Sequence, residues 1–231
     1  MSLKITSWNV HRGASPRGTQ NLDGVAEEIR QVSSDFIGLQ EVPSQLWVDR
    51  LIETLGSHGL VYTHHFEKTD ADGSGLALLS VRECAVAVVE YPLLCAGGTQ
   101  KKAVVMTHGD THVINTHFSA NASMAAQYIQ AAHLARHVST MEGHVFVTGD
   151  LNCHHASPPM SKLRAAGLWD TRKSAKARAR GYLNGCTFPA SMPFQRIDYI
   201  LARSSYVCGT SEVGHARHSD HLHVTAQLSP A

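Results

Sequence analysis

The chain has 231 residues, with 20 Lys and Arg against 19 Asp and Glu and a formal net charge of +1. A chain so close to neutral lacks the electrostatic signature of a protein that wraps DNA or spreads on a membrane surface, although a local basic patch remains compatible with it. The length fits one domain over residues 1–231, and no apolar run approaches a bilayer span, so no transmembrane segment is expected.

"KITSWNV" alternates like a strand, and "LDGVAEEIRQV" then puts Leu22, Val25, Ile29 and Val32 on one helical face. "DFIGLQEV" is a short apolar strand with a carboxylate near its end. "SQLWVDRLIETLG" carries Trp47, Leu51 and Leu55 at helical spacing and stops at Gly56. "GLALLSV", "CAVAVVEYPLL", "KKAVVMTHG" and "DTHVINTHFS" read as successive strands between polar turns. A long helix is predicted over residues 121–141, with Met124, Tyr128, Ala131, Leu134, Ala135 and Val138 inward. "HVFVTGDLN" is a buried strand running into a polar loop, followed by a short helix near "MSKLRAAGL" and an irregular basic loop over 170–190. The strands "RIDYILA" and "HLHVTAQL" finish the chain. Interleaved strands and helices without an internal repeat or linker predict layered α/β packing, sheets inside and helices outside. Five scattered cysteines, Cys84, Cys95, Cys153, Cys186 and Cys208, with no C-x-x-C spacing, read as reduced thiols. With no signal-peptide pattern at the N-terminus, the expected location is cytoplasmic.

Polar residues recur where apolar strands end: Asn9, Glu41, His117, Asp150 with Asn152, and Asp220–His221, with Asp198 inside "RIDYI". One such carboxylate on its own reads as a solvated rim residue or a helix cap. Six positions, each adjoining an apolar run, suggest strand ends converging on a pocket. Carboxylates and amides are hard oxygen donors suited to magnesium or manganese, which keep several waters and take one or two protein carboxylates. Glu41 fits that task, helped by Asn9 or Asp220. Asp150 fits orientation of a water, Asn152 an amide hydrogen bond to a phosphoryl oxygen, and His221 donation to the phosphate if Asp198 orients it. Cys153, beside Asn152, has no evident base and reads as a packing residue.

"SWNVHRG", "IGLQEV", "INTHFS", "VTGDLNC", "TFP…RIDYIL" and "HSDHLHV" together resemble the six ordered blocks of the endonuclease/exonuclease/phosphatase superfamily, from residue 5 to about 226. The resemblance implies a four-layer α/β/β/α sandwich, two mixed β-sheets flanked by helices, and metal-dependent hydrolysis of phosphoester bonds. Carried onto this sequence, it implies Glu41 as principal ligand of Mg2+ or Mn2+, with Asn9 and Asp220 assisting. Asp150 would activate the attacking water, Asn152 and His117 would contact the phosphate, and His221, paired with Asp198, would stabilise charge on the phosphoryl oxygens.

The substrate is less legible. The first block is "WNVHRG" where apurinic endonucleases have a "WNVNG" type, and Gln195 of "PFQRIDY" stands where they place Trp, which counts against an abasic-site enzyme. The expected substrate is a phosphodiester, nucleic acid foremost, and the expected assembly is a monomer. His11 and Arg12 near Asn9, His154 after "GDLNC", and Arg196 are further substrate-binding candidates, and Arg172, Lys173, Lys176, Arg178 and Arg180 form a basic run. The alternatives are a phosphomonoesterase or lipid or inositol headgroup phosphoesterase on the same scaffold, an inactive phosphate-binding module, and a zinc hydrolase. The inactive module predicts loss of a site residue, and none of Glu41, Asp150, Asn152, Asp198, Asp220 or His221 is lost. The zinc hydrolase would be built on His215, His218, His221 and His223 of "GHARHSDHLHV".

Overall fold

The computed structural model describes residues 2–92, 100–120, 124–173, 178–180 (as backbone), 185–215 and 218–231. Cys95, Lys176, the side chains of Arg178 and Arg180, and the start of the long helix lie outside the described residues. The elements run β1 (Leu3–Asn9), α1 (Leu22–Val32), β2 (Phe36–Val42), α2 (Gln45–Ser57), β3 (Thr63–Lys68), β4 (Gly75–Ser80), β5 (Ala85–Glu90), β6 (Lys102–His108) and β7 (Thr111–His117). Then come α3 (Met124–Thr140), β8 (His144–Asp150), α4 (Pro158–Ala165), β9 (Trp169–Asp170), β10 (Arg178–Arg180), β11 (Asp198–Arg203), β12 (Tyr206–Val213) and β13 (Val224–Pro230).

Two mixed sheets form, one in the order β10-β12-β13-β1-β2-β4-β3 and the other β5-β6-β7-β8-β11-β9. β1 lies parallel to β2 and antiparallel to β13, so the first and last strands are neighbours. Between the sheets, Ile5, Phe36 and Leu78 of one meet Val104, Met106 and Phe146 of the other, all essentially solvent-free. Each such side chain contributes about 2 kcal/mol of hydrophobic stabilisation. On the outer faces, α1 and α2 cover Trp8, Ile37 and Leu39, while α3 and α4 cover Val105, Ile114 and Val147. This is the expected four-layer sandwich. Ser44 begins α2 by accepting from the Trp47 backbone N–H at 3.3 Å, a cap worth about 1 kcal/mol.

The sandwich has a polar staple. Asn115 of β7 is fully buried and donates through Nδ2 to the Leu39 and Ala77 carbonyls of the opposite sheet, both at 2.8 Å. Its Oδ1 accepts from Gln40 Nε2 at 2.6 Å. Buried polar groups are tolerated between sheets where they are paired, and both polar atoms of the Asn115 amide are.

Four sequence expectations need correction. The strand pattern omits β3, "THHFEK", and β12, "YVCGTSEV", because neither carries the apolar alternation that marks the other strands. The last strand opens at Val224, and Asp220 and His221 sit in the bend before it. On α3, Met124 and Tyr128 are exposed, and the buried face includes Gln127 and Gln130 instead. The basic loop is not wholly irregular, since Arg178–Arg180 pairs with β12 as β10. No helix among the described residues is long and apolar enough to cross a membrane.

Candidate active site

Sheet register assembles the site. In the second sheet, β7 lies parallel to β8 with His117 opposite Asp150, and β11 lies antiparallel to β8 with Asp198 opposite Asp150. Three polar side chains therefore stand in one row across three neighbouring strands. The first sheet supplies Asn9 at the end of β1 and Glu41 near the end of β2. The β2–β4 pairing shifts register between Leu39 and Val42, and Glu41 takes a left-handed φ of 52° inside that irregularity. A bulge of this kind re-aims a side chain, and it brings Glu41 to the wall of the cleft.

Asn9 joins the two sheets. Its Nδ2 donates to Glu41 Oε1 at 3.1 Å and to Asp150 Oδ2 at 3.0 Å, while its Oδ1 accepts from the His11 N–H at 3.0 Å. Asp220 follows Ser219, whose hydroxyl donates to the Asn9 carbonyl at 2.7 Å, and Asp220 Oδ1 lies 3.8 Å from His11 Nδ1. The turn 187–195 clasps this loop from outside through Ala190 N–H to the Asp220 carbonyl at 2.6 Å and Leu222 N–H to the Thr187 carbonyl at 2.9 Å.

His221 Nδ1 donates to Asp198 Oδ2 at 2.9 Å, and its Nε2 lies 3.8 Å from Asp150 Oδ2. Thr187 Oγ1 also donates to Asp198 Oδ2, and the Phe188 ring packs against the imidazole at 4.7 Å. Burial disfavours the charged imidazole, but the Asp198 and Asp150 carboxylates outweigh it and lift His221 to about 10. The side chain is thus a cation with a proton to offer. Asp150 is raised above the usual carboxylate range by burial and the neighbouring Asp198 charge.

His117 is the opposite case. Burial and the Lys101 charge push it down to about 4, against the pull of Asp150. Its Nε2 accepts from Asn152 Nδ2 at 3.1 Å, as a neutral ring can. Asn152, at φ 48°, also donates its backbone N–H to Asp150 Oδ1 at 2.9 Å. Gln127 of α3 supports that turn by donating to the Asn152 carbonyl at 2.8 Å.

The cleft beside Glu41 and His117 has a volume of about 420 Å³. Two ion pairs frame it: Arg12 with Asp72 at 2.7 Å and Lys101 with Asp70 at 2.5 Å. Sequence reasoning missed Asp70, Asp72, Lys101 and Gln127, since nothing in their spacing separates them from surface residues.

The site thus brings together Asn9, Glu41, His117, Asp150, Asn152, Asp198, Asp220 and His221. Of the further substrate candidates, Arg12 lines the cleft and His11 sits beside Asp220. His154 is exposed and packs on His155, and Arg196 is buried against Asp170 at 2.7 Å with its guanidinium over the Tyr199 ring. The ligand atoms of Asp150, Asp198 and His221 lie within 4.8 Å of one another, the one such trio among the described residues. The C-terminal histidines do not converge: His218 meets Asn21, and His223 meets Glu28.

A profile of the Endonuclease/Exonuclease/phosphatase family matches residues 6–221. The chain belongs to that family. No curated protein matches it by sequence. Among solved structures, an endonuclease/exonuclease/phosphatase from Bacteroides vulgatus superposes with a TM-score of 0.83 at 18% identity, covering 100% of both chains. A mannosyl-6-phosphatase from Bacteroides thetaiotaomicron gives 0.81 at 16%, covering 98% of this chain and 99% of that one. D. rerio TDP2, complexed with single strand DNA product, gives 0.71 at 16%, covering 99% of each. At these identities the likeness establishes the fold that this family member shares with them.

Proposed function

We propose that this protein is a cytoplasmic phosphodiesterase that uses Mg2+ or Mn2+ to hydrolyse phosphodiester bonds of nucleic acid. The observation that carries the reading is the placement of Asp150, its carboxylate 3.8 Å from the imidazoles of both His117 and His221. A carboxylate with a raised pKa between one neutral and one protonated imidazole suits the handling of a water that attacks phosphorus. Asp150 orients and deprotonates that water. Protonated His221, held by Asp198, donates to a phosphoryl oxygen as negative charge grows there. Asn152 and His117 position the phosphate.

The donor set fits a hard divalent cation. Glu41 supplies carboxylate oxygens at the cleft wall and Asp220 offers a second carboxylate, while Asn9, whose Oδ1 is taken by the His11 N–H, steadies Glu41 through its Nδ2. His221 carries a proton between two carboxylates and is a poor ligand in that state. When bound, the cation neutralises charge on the phosphate. The family match and the TDP2 structure with a DNA product support hydrolysis of nucleic acid. A phosphomonoesterase is the second reading, favoured by the compact cleft, whose cations are already paired with Asp70 and Asp72, and by the sugar phosphatase among the structural relatives.

The test is a panel of bis-p-nitrophenyl phosphate, p-nitrophenyl phosphate, single- and double-stranded DNA, RNA and phosphoinositides, each with magnesium or manganese. Diester cleavage is expected. Cleavage of monoesters alone would reject the nuclease reading.

A further inference from the structure

Three histidines of "GHARHSDHLHV" are left over from the chemistry, and two of them, His218 and His223, lie against helix α1. His218 Nδ1 accepts from Asn21 Nδ2 at 3.0 Å, directly over Gly24. A Cβ at Gly24 would fall 2.4 Å from that ring nitrogen, so only glycine lets the imidazole seat there. One turn further along α1, Glu28 Oε1 lies 2.7 Å from His223 Nε2, and both side chains are more than nine-tenths buried. His223 Nδ1 is 3.2 Å from Thr225 Oγ1, so both ring nitrogens have partners. Gly214 is also shaped to this ring, because a Cβ there would meet Nε2 at 2.2 Å.

Gly24 and Glu28 stand one turn apart on one face of α1, and Asn21 is the residue that immediately precedes the helix. The two contacts bracket Asp220 and His221, one from each side along the chain. A third strut joins them: the Trp8 ring lies edge-on to His223 at 5.8 Å, and Trp8 Nε1 donates to the His221 carbonyl at 3.0 Å.

We propose that His218, His223 and Glu28 are positioning residues, which seat the Asp220–His221 bend on α1 and fix His221 against Asp198 through Trp8. A buried acid–imidazole pair is a costly way to fill space, since well-packed apolar residues of similar size often serve stability as well or better. What the pair adds is a directed contact at a fixed register. The active-site bend is thereby tied to a helix rather than left to its own backbone, and a misplacement of about 1 Å at such a site costs on the order of a hundredfold in rate.

This inference rests on the proposed role of His221, and the experiment separates the two. The variant Glu28→Leu/His223→Leu fills the pair with apolar side chains, and Glu28→Gln keeps a hydrogen-bond acceptor. The expected result is a kcat about tenfold or more below wild type for the double-leucine variant, with KM and Tm near wild type, and recovery in Glu28→Gln. In metal-free protein labelled at its imidazole nitrogens, the NMR signal of His221 bonded to Asp198 should shift or broaden in the double-leucine variant and persist in Glu28→Gln. Should the leucine pair not fold, Trp8→Phe removes the indole donor to the His221 carbonyl, along with part of the ring that meets His223, and should show the same kcat loss and NMR change. Wild-type kcat with an unchanged His221 signal, in whichever of these variants folds, overturns the proposal. If the wild-type protein cleaves nothing in the substrate panel, the proposed function fails, and the His221 signal alone decides this inference.

Discussion

Asp150 and Asp198 face each other across the antiparallel pairing of β8 with β11, two buried carboxylates on adjacent strands with the His221 imidazole reaching both. Like charges this close in the interior repel, and a cation between them offsets the cost. Asp198→Asn should therefore lower the pKa of His221 and reduce kcat about 10²- to 10⁴-fold. Asp150→Asn and His221→Ala should abolish turnover with the fold intact by circular dichroism. Near-wild-type turnover in any of the three would show that the roles are misassigned.

The same arrangement links stability to pH. The folded protein holds the His221 proton up to about 10, while an unfolded histidine releases it near 6.5. A raised pKa of this kind contributes stability that is complete below the unfolded value and is lost as pH rises through the folded one. Chelator-treated protein should show Tm falling between pH 6.5 and 10, and His221→Gln should flatten that decline. Identical slopes in the two proteins would mean that the folded His221 gains no proton affinity from its two carboxylates.

Lys101 acts on His117 at a distance. Burial is the larger influence on that imidazole, and the Lys101 charge adds to it. Lys101→Met should raise the His117 pKa above about 4, as read by NMR titration of metal-free protein, and should weaken substrate binding through KM. No movement of the titration would mean that the ammonium is screened from the ring.

Gln127 donates to the Asn152 and Ser119 carbonyls at 2.8 and 3.1 Å from the buried face of α3. Gln127→Leu leaves both carbonyls without that donor and should cost about 1–3 kcal/mol in urea unfolding. Because the Asn152 backbone is left-handed, kcat should fall with it. Unchanged kcat would mean that the contacts of Asn152 to Asp150, His117 and Phe118 hold the turn without Gln127.

Asn115→Ala should cost more, about 3–5 kcal/mol, since it removes the nearest acceptor of Gln40 Nε2 and the donor to two carbonyls between the sheets. Gln40 precedes Glu41, so the affinity for Mn2+ should drop as well, measurable by titration calorimetry. A variant of wild-type stability would show that the interface repacks around the gap.

Much of this was legible in the sequence, because the chemistry sits where apolar strands stop. Asn9, His117 and Asp150 each end a run whose burial follows from its composition. The bulge that turns Glu41 inward was not legible, since a positive φ at a non-glycine residue leaves no mark in composition. Met124 and Tyr128 read as core on α3, and Gln127 and Gln130 do not, because periodicity weighs side-chain polarity and cannot see the carbonyls that Gln127 meets or the Ser119 hydroxyl and N–H that Gln130 meets. β3 and β12 escaped for a related reason. Their partners β4 and β13 supply most of the apolar surface, leaving the strand itself free to be polar.

Asn9 touches Glu41 on its own sheet and Asp150 on the other, and β1, which carries it, is flanked by the last strand of the chain. On the ribosome this timing matters. Until residue 221 has emerged and β13 has docked beside β1, the set of side chains that Asn9 joins lacks its imidazole, so the site is completed only when the final strand is in place.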